Sequence, residues 1–183
     1  MKHFVLILTM LVSTSVFAKN ADIQRRIDSA AAILADIAHG SETFTVAPST
    51  DAKAMMRELA IKNDMVESAE DFEAQWTDKS NDAWGADEML WALDTSAGAY
   101  SYISSALESD LEISERTDKD KMTYANGILA LKKAFGILNS IKSVKYGVAP
   151  IGAVQCGVTF PALLIIDTEN GKVHQITMES SGC

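Results

Sequence analysis

The sequence predicts an α+β fold: an N-terminal bundle of about four helices, then a small C-terminal antiparallel sheet with a terminal hairpin. Three observations predict it. Apolar residues recur at helical spacing from Asn20 to about Lys142. From Ser143 onward the pattern changes to short extended runs. Asn170-Gly171 then supplies a two-residue turn in which both positions tolerate positive φ. Helices followed by strands, with no long linker between them, argue for a single α+β domain over residues 19–183, mainly helical over 19–142 and mainly strands over 143–183.

The chain opens with an export signal. Lys2 supplies the positive start, Phe4 to Val12 is apolar except for Thr9, and Val16-Phe17-Ala18 places small residues where a signal peptidase reads them. The apolar run is far below the roughly 20 residues that span a bilayer. Residues 1–18 are therefore expected to be a signal peptide, cleaved after Ala18. The product is expected to be a soluble bacterial protein, periplasmic or secreted. An oxidising compartment favours pairing the two cysteines, Cys156 and Cys183, in a disulfide. Such a bridge closes a loop of about 27 residues and is worth about 3.5 kcal/mol on the chain-entropy estimate.

In the first helix Ile23, Ile27, Ala30, Leu34 and Ile37 follow spacings of 4, 3, 4 and 3, and Gly40 ends it. Thr43 to Ala47 alternates, with Phe44 and Val46 on one side, as a short strand or an extended link, and Pro48 stops it. A second helical pattern begins at Ser49 or Thr50 and carries Met55, Leu59, Val66, Phe72 and Trp76. Lys62 interrupts its face, so a break is expected between Asn63 and Ser68, with Ser68 and Asp71 starting a separate helix. Thr77 to Asp82 reads as a loop. A third helix is expected from about Ala86 to Ser109, with Leu90, Leu93, Ala97, Tyr100 and Leu107 on one side. The charged stretch Glu112 to Lys121 connects it to a fourth helix bearing Tyr124, Ile128, Leu131, Phe135, Leu138 and Ile141.

Four stretches suit strands: Ser143 to Val148, Ala153 to Phe160, Ala162 to Thr168 and Lys172 to Glu179. With Asn170-Gly171 at the centre of the turn, Ile165 faces Ile176, Leu163 faces Met178 and Asp167 faces His174. Leu163 to Ile166 is apolar on both faces and belongs at the centre of the sheet. The strand after the turn alternates, which places it at an edge.

Composition narrows the chemistry. With 16 Lys plus Arg against 25 Asp plus Glu, the net charge is −9. This disfavours nucleic acid, whose phosphates need clustered cations, and an anionic membrane surface. No GxSxG elbow, HExxH pair or GxxxxGK[ST] loop occurs. His174 opposite Asp167 is a candidate oriented base, but a hairpin tip supplies neither nucleophile nor pocket and favours a solvated pair. Asp78, Ser80 and Asp82 occupy positions 1, 3 and 5 of a calcium-loop pattern. Ala83 then stands where the turn glycine belongs, and Met89 where a bidentate glutamate belongs. Trp76, Trp84 and Trp91 lie within 16 residues, and Trp91 shares helical spacing with Tyr102. Such aromatics line a ligand groove or, more often, a core.

No catalytic residue, metal ligand or cofactor site is assigned, and the balance leans away from an enzyme. The expected role is binding, as an inhibitor or immunity-type partner of a basic envelope or secreted enzyme, since acidic and basic surfaces attract. Two alternatives stand beside it. One is a cell-envelope hydrolase using a pair of carboxylates. The other is a small-ligand or calcium binder around Trp84 and Asp78 to Asp82. The weak binding candidates are Trp76, Trp84, Trp91, Tyr102, Asp78, Ser80 and Asp82.

Overall fold

The computed structural model describes residues 2–38, 40–76, 90–109, 117–150, 154–155, 158–159 and 162–177, with side chains in the first helix from Asn20 onward. The described chain is mixed α+β. Its elements run α1 (Lys2–Ala38), β1 (Ser41–Thr45), α2 (Ala52–Lys62), α3 (Ala69–Gln75), β2 (Ala92–Asp94), α4 (Ser96–Ser109) and α5 (Asp118–Leu138), then β3 (Val144–Ala149), β4 (Val154–Gln155), β5 (Val158–Thr159), β6 (Ala162–Asp167) and β7 (Lys172–Ile176). Five strands form one antiparallel sheet in the order β1-β7-β6-β3-β2, and β4 and β5 pair separately.

The central strand dictates the layering. Every residue of β6 is buried. Leu163 and Ile165 enter one core with Ile27, Leu34, Ile103, Leu131 and Phe135, under α1, α4 and α5. Leu164 and Ile166 enter a second core with Met55, Met56, Leu59, Phe72 and Trp91, under α2 and α3. A strand apolar on both faces needs cover on both, since an uncovered face would leave two large aliphatic side chains of β6 in water. The helices therefore divide between the two faces, and the expected four-helix bundle does not form.

Nor is the sheet confined to the C-terminal half. Strand β1 pairs with β7, joining residues about 130 positions apart, from Ser41 with Ile176 to Thr45 with Lys172. This moves β7 from the edge, where alternation placed it, to the interior of the sheet. Its Gln175, a polar residue that an edge strand would turn to solvent, is buried. Lys62 crosses the open side of β1 and donates from Nζ to the Thr45 carbonyl at 2.8 Å. A lysine laid over an edge strand discourages pairing with another chain there.

Local signals account for most element ends. Asp51 caps α2 by accepting from Lys53 N, and Ser68 caps α3 by accepting from Asp71 N. Thr117 and Asp120 form a reciprocal capping box at the start of α5. The third helix is shorter than its periodicity suggests. Residues 92–94 pair with 146–148 as strand β2, and Thr95 opens α4 by accepting from Gly98 N at 3.0 Å. Leu90, Leu93 and Ala97 fit a helical face, but the free edge of β3 offers Ala92 to Asp94 a backbone partner and Thr95 a capping position.

The β6–β7 turn contains four residues, 168–171, instead of two. Asp167 faces Lys172, Ile165 faces His174 and Leu163 faces Ile176. The shift of two residues follows from Asp167, whose buried carboxylate accepts from the amides of Glu169 and Asn170 and, at 2.7 Å, from Asn170 Nδ2. Gly171 then closes the turn at φ +68°, donating to the Asp167 carbonyl at 3.0 Å. A side chain there would collide with the Val46 carbonyl.

Candidate functional site

Strand β2 is three residues long and leaves a groove where the start of α4, the end of α5 and strand β3 meet. The groove encloses about 310 Å³ and is lined by Leu93, Asp94, Ser96, Leu138, Asn139, Ile141, Val144, Lys145 and Tyr146. This volume is at the lower end of the range for small-ligand sites. The floor is apolar because β3 alternates: Val144 and Tyr146 turn toward α4 and α5, while Lys145 is exposed.

The polar rim is internally organised. Asn139, the C-cap of α5, accepts at Oδ1 from Ser96 Oγ at 2.6 Å and from the Tyr146 hydroxyl at 2.9 Å. One carbonyl oxygen thus ties α4, α5 and β3 together. Tyr146 stacks on Phe135, with centroids 5.6 Å apart, and Tyr100 meets Phe135 edge-on at the same distance. Burial raises the Tyr146 pKa from 10.0 to about 12, partly opposed by its hydrogen bonding with Ser96, so the phenol stays neutral as a donor. Asp94 Oδ1 accepts from Thr95 N at 2.7 Å, which holds the carboxylate at the head of α4. The same carboxylate lies against Gly98, whose missing Cβ makes room for it.

A second polar cluster surrounds His174 on the α1 side of the sheet. Its Nδ1 shares a 3.1 Å hydrogen bond with Thr43 Oγ1, and its Nε2 lies 3.6 Å from Asp28 Oδ1 on α1. Lys172 Nζ is 3.8 Å from Asp28 Oδ2, and Gln24 Nε2 donates to Asp28 Oδ1 at 2.7 Å. With the proton on Nε2, Nδ1 accepts from Thr43 and the N–H faces Asp28. Burial lowers the imidazole pKa; Asp28 opposes this, Lys172 adds to it, and Asp167 opposes it. The expected pair with Asp167 does not form, because the shifted register brings Lys172 opposite Asp167. Hydroxyl, imidazole and carboxylate are thus in line, but the imidazole is buried beneath α1 and β1.

Of the aromatic candidates, Trp76 and Trp91 meet at Phe72 in one core, and Tyr102 does not join them. Trp91 is fully buried, 5.4 Å from Phe72 in the core beneath α2 and α3. Trp76 also packs on Phe72, at 5.7 Å, with Lys53 Nζ 4.5 Å from its ring centroid. Tyr102 belongs to the opposite face of the sheet, packed beside the α1, α4 and α5 core, where burial raises its pKa to about 12. Because residues 92–94 are strand, the helical stripe linking Trp91 to Tyr102 does not exist. Asp78, Ser80, Asp82, Trp84, Cys156 and Cys183 lie outside the described residues. Among the described residues, no group of three or more His, Cys, Asp or Glu is placed to hold a metal ion.

Sequence reasoning missed the groove residues Asp94, Ser96, Asn139, Lys145 and Tyr146. A signal was present in Asp94-Thr95, since an acidic residue and a threonine ahead of Ser96 read as a helix start. The continuous apolar spacing through Leu90 and Leu93 concealed it. Comparison with protein-family models, with curated proteins and with solved structures returned no match.

Proposed function

We propose that this chain is an exported soluble bacterial protein that acts by binding, as an inhibitor or immunity-type partner of a basic envelope or secreted enzyme. The reading rests on the acid excess together with the apolar-floored groove lined by Asp94, Ser96, Asn139 and Tyr146, which offers a basic partner a place to seat a side chain. The net charge of −9 would steer a basic partner toward such a cleft.

Export is supported by Lys2, the apolar run Phe4 to Val12 and Ala18. Among the described side chains of α1, which begin at Asn20, the packed positions run from Ile23 onward, within the proposed mature domain of residues 19–183. Among the described residues, no helix is long and apolar enough to cross a membrane. Pairing of Cys156 with Cys183 belongs to the same proposal. It rests on the presence of two cysteines and on the oxidising compartment that export implies.

The test is capture of partners from envelope and secreted extracts at low and high salt, using the protein and its Asp94→Asn and Lys145→Glu variants. One basic enzyme should be captured at low salt, released at high salt and inhibited by the protein. Capture should weaken with Asp94→Asn and strengthen with Lys145→Glu, while circular dichroism shows both variants folded. Capture indifferent to salt and to both substitutions would overturn the assignment of the groove.

A further inference from the structure

No further inference is drawn: the strongest candidate, the polar side-chain cluster around buried His174 at the α1–β7 seam, offers an ion only one imidazole and the Asp28 carboxylate, which already has Lys172 Nζ at 3.8 Å, and its response to pH rests on the lowered His174 pKa alone.

Discussion

His174 Nε2 lies 3.6 Å from Asp28 Oδ1, across the seam where α1 packs on β7. Burial holds the imidazole pKa below 6.5, with Lys172 acting in the same direction and Asp28 and Asp167 against it. The unfolded chain therefore binds this proton more readily than the folded one. Stability from this group is complete above the unfolded value and is lost as pH falls through it toward the lower folded value. Thermal melts from pH about 7.5 to 5 should show a falling midpoint, and His174→Gln should flatten that part of the profile. Asp28→Asn, which removes the largest opposing influence, should steepen it. A profile unchanged by His174→Gln would show that the seam does not sense this proton.

Two glycines should respond in opposite ways to alanine. At Gly98 an added Cβ would meet the Asp94 carboxylate, with Oδ2 at 2.7 Å, so Gly98→Ala should destabilise by about 1–3 kcal/mol through overpacking and should distort the groove. At Gly136 nothing among the described residues lies within 4 Å, and alanine should stabilise the fold by up to about 1 kcal/mol. Urea unfolding of both variants at low protein concentration measures the contrast. Equal signs would contradict the packing described.

Asp167 organises the β6–β7 turn through three accepted hydrogen bonds. Asp167→Ala leaves those donors without their acceptor and should cost about 2 kcal/mol, read by chemical denaturation. Asn170→Ala removes only the 2.7 Å side-chain donor and should cost less. A larger loss from Asn170→Ala would place the organising role on the wrong residue.

Cys156 and Cys183 should be unreactive toward a thiol reagent in protein from an oxidising compartment, and reactive once it is denatured and reduced. Removing the bridge by Cys183→Ser should lower stability by about 3 kcal/mol. Two free thiols in the denatured, unreduced protein would dismiss the pairing.

The sequence by itself determined the local elements, because their causes are local. Helical spacing located the buried faces of α1 and α5 at Ile27, Leu34, Leu131 and Phe135. Ser68 and Asp71 marked the start of α3, and the unbroken apolar run Leu163 to Ile166 marked the central strand. Only the tertiary structure decided how these elements share the sheet. Backbone pairing joins β1 to β7 and β2 to β3 over long separations, and nothing in the periodicity of Ser41 to Thr45 or Ala92 to Asp94 encodes the partner. The turn register depended on the three donors gathered by Asp167, and the division of the helices depended on covering both faces of β6. The groove is built from β2, α4, α5 and β3, so its residues meet only after those pairings exist. Periodicity records which face of an element avoids water, whereas a site at a junction of elements is set by which faces and edges finally meet.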